Sequence, residues 1–347
     1  MKLQPGNLCI IGFAGPTDVA THLRNAGTRL ALEPRFLDMS SAYEGSTVRR
    51  KIDWWFRDRR PRRLQEFSSS VKNQCRQNPP SLILTTGFAP VTADTVGALR
   101  SLGSTLINYL TDDPWTSPHR SKWFLEALTQ YDFVFTPRRS NLDDLNAVGC
   151  RNVMYLPFAY APEIHYPEDL GESQQASTGS ADVLFIGGAD RDRVPFLAPL
   201  AEAGYNVALY GRYWDRFRST RPLARGMVDE AAARQVVANT KIAPCLVRRS
   251  NRDGHSMRTF ELSAMKACMA VEDTEEHRSI FGEEGDAVFY FRDPEGLLAR
   301  VDQLIANDDE RKRLADRVHS LITTGSNTYE DRLKTMIGAA GSAEHRS

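Results

Sequence analysis

The sequence predicts an α/β protein made of two Rossmann-like halves, and three observations carry this prediction. Short apolar runs of strand length recur along the chain and alternate with segments of helical periodicity. A polar stretch rich in small residues, 168–181, separates two such series. The 347 residues are enough for two domains of about 150 residues each.

The first half, residues 1–168, opens with a strand–turn–helix unit. The apolar run LCIIGF at 8–13 predicts a buried strand, and the helical segment after it ends near Gly27, which fits a C-cap. The other strands of this half are predicted at 81–86, 105–110, 133–136 and 153–156.

The second half begins after a linker at 169–181 and extends over 182–325. Its first strand, 182–186, is followed by Gly187 and Gly188 and then by arginines. A strand followed by paired glycines before a helix is typical of a turn that accommodates phosphate, although a tight turn with a solvated basic helix start gives the same pattern. Further strands are predicted at 207–210, 242–247, 270–271 and 287–291, and residues 326–347 are predicted to form a terminal helix and tail.

The stretch from Asn239 to Asp293 carries the strongest functional signal. A short apolar strand leads into a polar loop, Asp253–Ser256, and residues 257–269 then have helical spacing with Ser256 as N-cap. Free N–H groups and the positive end of the dipole at such a helix start attract a phosphate. Arg258, on the first turn, adds a cation that is not neutralised at physiological pH.

Composition narrows the possible partners. The formal net charge is zero, which does not favour nucleic acid as a partner, and no apolar run approaches the ~20 residues of a membrane span. The amino-terminal residues lack the apolar core of a secretory signal, so we expect a cytoplasmic protein. The five cysteines are scattered along the sequence, which predicts buried free thiols rather than a disulfide framework or a zinc site.

Residues 46–63 combine cations with aromatic side chains. Within 49–63, arginines and a lysine surround Trp54, Trp55 and Phe56. This composition suits peripheral contact with an anionic membrane, at its inner face, or with a polyanionic acceptor. The alternative is a helix that buries its aromatic side chains while its arginines stay solvated.

Two acids follow the strand predicted at 105–110. Asp112 and Asp113 stand at its carboxyl end, where open α/β sheets bind ligands, but their adjacency points them in different directions and does not make a metal-binding pair. With His119 they are candidates for the acceptor side or an interdomain cleft. A helix N-cap and a solvated histidine explain them equally well.

Several segments resemble a known enzyme group. The heptapeptide RTFELSA at 258–264, Glu276, the pair IF at 280–281, Gly285 and YFRDPEGL at 290–297 resemble the CgeB-like, spore-maturation group of glycosyltransferases. The acid–seven–glutamate spacing of Asp253 and Glu261 is similar to that of retaining glycosyltransferases with the GT-B fold. Residues 131–167 and the strand-then-DDP feature at 112–114 also resemble the first half of CgeB-like proteins.

The resemblance implies a fold and a donor site. The fold is GT-B, with two Rossmann-like domains facing across a cleft and a C-terminal helix that crosses back to the first domain. Glu261 would hold the ribose hydroxyls of a nucleotide, and the Asp253–Ser256 loop would face the diphosphate and sugar. Arg193 matches the family's arginine beside the diphosphate, with Arg191 as the alternative. The residues assigned to the donor site are Gly187, Gly188, Arg193, Arg212, Ser256, Thr259 and Glu261.

The implied reaction is transfer of a sugar from a UDP-, GDP- or dTDP-sugar to a glycan, lipid-linked or protein acceptor, as in hexosyltransferases. We expect neither a cofactor nor a metal, because arginines and helix amides can stabilise the leaving diphosphate and no spaced acidic pair is present. Retention needs no strong protein base, whereas inversion would require His119 or Asp112. The catalytic candidates are Asp253, His255, Arg258, His119 and Asp112.

Two other functions fit the same sequence. One is a hydrolase or epimerase of nucleotide sugars with the same fold. The other is a non-catalytic nucleotide-binding subunit, favoured by Asp rather than Glu at position 253 and by Lys266-Ala267-Cys268 where the family usually has glycines.

Overall fold

The computed structural model describes residues 3–45, 56–117, 119–171 and 180–344, with side chains as far as residue 342. The chain divides into two compact units. The first comprises Met1–Pro157, Ser250–Arg252 and Tyr329–Ser347, and the second comprises Phe158–Arg249 and Asp253–Thr328. Residues 158–168, assigned from the sequence to the first half, therefore belong to the second unit. Residues 46–55 of the basic-aromatic segment and residues 172–179 of the predicted linker lie outside the described residues.

The first unit contains a six-stranded parallel sheet in the order β2-β1-β3-β4-β5-β6. Its strands are β1 Leu8–Gly12, β2 Arg35–Asp38, β3 Leu82–Thr86, β4 Thr105–Tyr109, β5 Phe133–Thr136 and β6 Val153–Tyr155. The described residues before the second unit form the helices α1 Val19–Arg29, α2 Leu64–Gln77, α3 Ala93–Arg100, α4 Lys122–Leu128 and α5 Leu142–Ala147. Every residue of β1 and β3 is buried, as expected for central strands covered by helices on both faces.

The second unit contains a five-stranded parallel sheet in the order β11-β10-β9-β7-β8. Its strands are β7 Ala181–Ile186, β8 Val207–Tyr210, β9 Thr240–Cys245, β10 Met269–Glu272 and β11 Phe289–Phe291. Its helices are α6 Val194–Glu202, α7 Glu230–Ala238, α8 Met257–Ala264, α9 Glu275–Phe281, α10 Pro294–Ile305 and α11 Asp308–Thr323. A separate apolar core supports this sheet, built around the fully buried Trp214 and side chains from β7, β8 and α10.

The last helix, α12 (Tyr329–Glu344), belongs to the first unit, where it packs against α1. Its buried apolar side chains recur at intervals of four, three and four residues, which places them on one helical face. They are Tyr329, Leu333, Met336 and Ala340. The chain therefore returns to its first unit at the end, which confirms the expected crossing of the C-terminal helix.

Pro244 interrupts the centre of the second sheet. The strands β7 and β9 pair at Ala181–Thr240 and Val183–Ile242, so the next rung would join Phe185 to Pro244. The N–H of Ala243 points toward β10 and donates to the carbonyl of Cys268, the residue before that strand. Successive residues of a strand point to opposite sides, so an N–H at position 244 would have pointed toward β7, but proline has none. The ladder between the two central strands therefore stops before their carboxyl ends.

None of the described helices is both long enough and apolar enough to cross a bilayer.

Candidate functional site

The carboxyl edge of the second unit's sheet collects most of the residues predicted for the donor site. The Gly187-Gly188 turn follows β7, the Asp253–Ser256 loop leads into α8 after β9, and Arg212 follows β8. Ligands of open parallel sheets bind beyond the carboxyl ends of the strands. The fold thus brings residues from three separate parts of the sequence to the edge where a ligand is expected.

The turns after β7 and β8 are locked together by close backbone packing. A Cβ atom at Gly211, which has a φ of +134°, would lie 2.1 Å from the carbonyl oxygen of Gly187. The indole of Trp214 donates a hydrogen bond to that same oxygen over 2.8 Å and is fully buried. Trp214 therefore packs inside the unit and is not available to stack on a base. The side chain of Arg212 is exposed, while its carbonyl accepts the N–H of Ala189.

Arg193 binds the backbone just beyond the carboxyl ends of β7 and β9. Its guanidinium donates to the carbonyl of Gly188 over 3.1 Å and to that of Leu246 over 3.3 Å, which links the ends of the two strands. Burial, followed by the charge of Arg248, lowers the pKa of Arg193, but an arginine remains a cation at neutral pH. Arg193 is therefore not a solvated cation at a helix start, which was the alternative interpretation of this glycine–arginine segment.

The start of α8 is closed by a reciprocal cap. The backbone N–H of Ser256 donates to the hydroxyl of Thr259 over 3.1 Å, and Ser256 stands at the N-cap position of a capping box. Thr259 is fully buried, so its hydroxyl supports the helix start from inside the protein. The backbone N–H of Thr259 turns back to the carbonyl of Ser256 over 3.1 Å.

Arg258 and Glu261 form an ion pair one turn apart on α8. Arg258 also donates to the carbonyl of Ile186, the last residue of β7, over 3.2 Å. The carboxylate of Glu261 is only 1% exposed, and one of its oxygens lies 3.8 Å from Nε2 of His165. Burying a carboxylate is costly even when it is paired, which makes a buried glutamate at this edge a candidate functional group.

His255 is held by the protein through both ring nitrogens. The N–H of Phe158 donates to Nε2 over 3.2 Å, so Nδ1 carries the proton and donates to the carboxylate of Glu276. The ring is 1% exposed. The assignment of His255 as a catalytic group is therefore not supported, because no ring nitrogen is left to exchange a proton with a substrate. Its neighbour Asp253 remains partly exposed in the same loop.

Asp112 and His119 belong to the first unit, at the carboxyl end of β4. Asp112 accepts a hydrogen bond from the side-chain amide of Asn251 over 3.2 Å. Nδ1 of His119 lies 3.2 Å from the carbonyl oxygen of Asp113 and 3.2 Å from the hydroxyl of Thr116.

Asp113 has a structural role beside them. Its buried carboxylate accepts the N–H of Trp115 and pairs with Arg252. Asn251 and Arg252 were not identified from the sequence. Their partners lie more than 100 residues away along the chain, so no local pattern marks them.

Two further observations concern predicted partners. Phe56, at the described end of the basic-aromatic segment, is 83% exposed, so this aromatic side chain is not buried against the unit. Membrane contact through this segment stays a prediction. Among the residues that the structure describes, no group of three His, Cys, Asp or Glu side chains is placed to hold a metal ion.

Comparison with known proteins adds a family match over part of the chain. A family model described as glycosyl transferase-like matches residues 191–338, which is less than half of the sequence. This segment contains Arg193, Arg212, Arg258 and Glu261. No curated protein matches the chain.

Solved structures match over the whole chain. Sucrose-phosphate synthase from Thermosynechococcus elongatus aligns with a TM-score of 0.71 at 12% identity, covering 98% of this chain and 100% of that protein. The chain has the GT-B fold. Anabaena HepE in complex with UDP-glucose aligns with a TM-score of 0.66 at 10% identity, covering 97% and 100% of the two chains. A Listeria monocytogenes protein assigned as a UDP-N-acetylglucosamine 2-epimerase aligns at 0.56 with 14% identity, covering 98% and 97%.

The predicted architecture is therefore confirmed, and a glycosyltransferase-type fold with a glycosyl transferase-like segment supports sugar transfer in general.

Proposed function

We propose that this protein transfers a sugar from a nucleoside diphosphate sugar to an acceptor, with the nucleotide bound at the carboxyl edge of the second unit's sheet. The observation that carries the proposal is the buried Glu261 paired with Arg258 on a helix whose start lies at that edge. The residues around them fall within the segment matched by the glycosyl transferase-like family model. HepE, a protein of the same fold, binds UDP-glucose.

Each part of this edge has a role in the proposed complex. The carboxylate of Glu261 accepts hydrogen bonds from the ribose hydroxyls, which replace part of the solvation lost on burial. Arg258 and the amides at the start of α8 bind the diphosphate, while Arg193 holds the glycine turn beside it. These groups stabilise the negative charge that develops on the diphosphate as its bond to the sugar breaks.

We further propose retention without a metal ion. The Asp253–Glu261 spacing motivates retention, because it resembles that of retaining enzymes. In that reaction the leaving phosphate oxygen accepts the proton of the acceptor hydroxyl on the same face of the sugar. If the reaction instead inverts the anomeric carbon, Nε2 of His119 is the first base to test, since the contacts with Asp113 and Thr116 are made by the other ring nitrogen.

Thermal unfolding with a panel of nucleotides tests the donor site. We expect one of UDP, GDP, dTDP or ADP to raise the melting temperature, since a ligand at 100 times its dissociation constant stabilises by about 2.7 kcal/mol. Glu261→Gln keeps the size of the side chain but loses the charge, and it should abolish most of that shift. Glu295→Ala, which removes an exposed glutamate of the same unit, is the control and should keep the shift.

No shift with any of the four nucleotides in the wild-type protein would contradict the proposed function. Equal shifts in wild type and Glu261→Gln would remove Glu261 from the site while leaving nucleotide binding intact.

One observation favours a second candidate function. The epimerase-like neighbour has the same fold, so nucleotide-sugar epimerisation or hydrolysis without an acceptor deserves a direct assay. Turnover of a nucleotide sugar in the absence of any acceptor would favour that function. Turnover only when an acceptor is added would favour sugar transfer, and nucleotide binding without turnover under either condition would favour a non-catalytic subunit.

A further inference from the structure

Helix α9 begins against the loop that precedes α8. The hydroxyl of Thr274, the N-cap of α9, donates to the carbonyl of Gly254 and also accepts the N–H of His277. Glu276 and His277, on the first turn of α9, are both buried. The start of one helix therefore supports the loop that leads into another, although about 20 residues separate them along the chain.

The hydrogen bonds of His277 have a fixed direction. Its Nδ1 lies 2.7 Å from the carbonyl oxygen of Glu272, which can only accept, so Nδ1 carries the proton. Burial lowers the pKa of His277 to about 4, and the ring is therefore neutral at pH 7 with a lone pair on Nε2. The hydroxyl of Thr259 donates to that nitrogen over 3.0 Å, which leaves an oxygen lone pair to accept the N–H of Ser256.

Glu276 supports the other side of the same loop in two ways. Its carboxylate accepts the Nδ1 proton of His255, and this fixes the orientation of the buried ring. The carboxyl group also lies directly against Gly254, where a Cβ atom would come within 2.4 Å of Glu276 Cδ and 2.6 Å of Cγ. Glycine at position 254 and glutamate at position 276 therefore fit one another.

We propose that Glu276 is a positioning residue for the phosphate-binding end of the donor site, a role that rests on the function proposed above. It holds the Asp253–Ser256 loop so that the first amides of α8 and the side chain of Arg258 meet the terminal phosphate of a nucleoside diphosphate. Glu276 does not contact the ligand itself. Its effect passes through His255 and Gly254, and His277 supports the helix start through Thr259.

A double-mutant cycle tests this role. Gly254→Ala should disturb the loop because the new methyl group collides with Glu276, whereas Glu276→Ala removes the atoms with which it collides. We therefore expect Gly254→Ala to weaken binding in the wild-type background and to add little in the Glu276→Ala background. Glu276→Gln retains the length of the side chain and an oxygen that can accept from His255, so it should restore most of the binding lost in Glu276→Ala.

The measurement is the dissociation constant of the nucleoside diphosphate that binds best in the panel, compared with that of its nucleoside monophosphate. In Glu276→Ala we expect the diphosphate to bind about tenfold more weakly, equivalent to about 1.4 kcal/mol, and the monophosphate to change less. The melting temperature of each ligand-free variant shows whether it is folded. A general loss of structure would weaken the binding of both nucleotides to the same extent.

The possible outcomes separate this inference from the function on which it rests. If the wild-type protein binds none of the four diphosphates, the donor site itself is wrong and the role of Glu276 is wrong with it. If the wild type binds the nucleotides but Glu276→Ala weakens the binding of both equally, or of neither, Glu276 is only structural. Additive effects of Gly254→Ala and Glu276→Ala would also overturn the proposal.

Discussion

At the scale of single residues, the hydrogen bonds around His277 determine its protonation state. Nδ1 faces a carbonyl and Nε2 receives a hydroxyl proton, so a second ring proton would require the hydroxyl of Thr259 to reverse its role from donor to acceptor. Burial is the largest influence on the pKa of His277 and lowers it, whereas the hydrogen bond to Glu272 and the charges of Glu276 and Asp273 raise it, and a positive charge on His255 would lower it further. His277 therefore remains neutral in the folded protein well below pH 6.5.

This protonation state predicts a loss of stability in acid. The pKa of His277 is about 4 when folded and about 6.5 when exposed, so between these values the unfolded chain binds a proton that the folded protein does not. The free energy of unfolding should fall as the pH drops from 6.5 to 4, by on the order of 3 kcal/mol from this residue.

Urea unfolding at pH 7, 6 and 5 measures this effect by comparing wild type with His277→Gln. The variant cannot be protonated at this position, so its stability should depend less on pH across that window. The same slope in both proteins would show that His277 titrates normally in the folded state.

Single residues also show how far a site can be predicted from sequence. Arg258 was predicted from its place on the first turn of a helix, and Glu261 from the resemblance to retaining glycosyltransferases. The structure pairs the two side chains one turn apart. His255 looked equally suitable for catalysis. Its partners, Phe158 and Glu276, come from positions 97 and 21 residues away, and sequence patterns do not reveal such contacts.

At the scale of secondary structure, hydrophobic runs located the buried strands but not the helix ends. Residues 257–269 have helical spacing, yet α8 ends at Ala264. The N–H groups of Lys266 and Ala267 turn back to the carbonyls of Ser263 and Leu262, and Lys266 adopts a left-handed φ of +63°. This end geometry usually requires glycine, so a lysine gave no signal in the sequence.

Weakly buried elements were missed for a related reason. The edge strand β2 has no fully buried residue, and its sequence RFLD lacks the apolar run that marks the central strands. Helix α9 is seven residues long, which is too short for a periodic pattern.

The glycine turns at the sheet edge give a prediction about one element. Gly211→Ala would place a methyl group 2.1 Å from the carbonyl oxygen of Gly187 and would force alanine into a φ of +134°. We expect the free energy of unfolding to fall by at least about 2 kcal/mol, because neither backbone can move without opening the turn.

Gly97→Ala is the matched control. Gly97 lies inside α3, and a Cβ there meets nothing within 4 Å. Alanine should stabilise that helix by about 0.5–1 kcal/mol. Chemical unfolding of both variants checks the pair, and a neutral Gly211→Ala would show that the two turns are not held together.

At the scale of the whole molecule, the order of elements along the chain was predictable because each half repeats the alternation of strand and helix. Which residues belong to each of the two units was less predictable. Residues 250–252 join the first unit although the sequences on both sides of them belong to the second. No change in composition marks this short segment in the sequence.

The C-terminal helix provides the prediction at this scale. Leu333 is fully buried where α12 packs on α1, so Leu333→Ala should reduce the free energy of unfolding by about 2–5 kcal/mol. Lys334→Ala, on the exposed face of the same helix, loses only a surface ion pair with Glu330 and should cost less than about 1 kcal/mol. Equal losses measured by urea unfolding would mean that the packing of α12 contributes little.

Pro244 has a consequence that extends beyond its own strand. Side-chain rotations can open or close many protein crevices, but a proline cannot acquire an amide hydrogen by any motion. The hydrogen bond that an amide at position 244 would donate to β7 is thus absent in every state of the protein. Arg193 and Arg258 donate hydrogen bonds to backbone carbonyls beside the end of β7. These bonds fix both cations at the edge where the diphosphate is expected to bind.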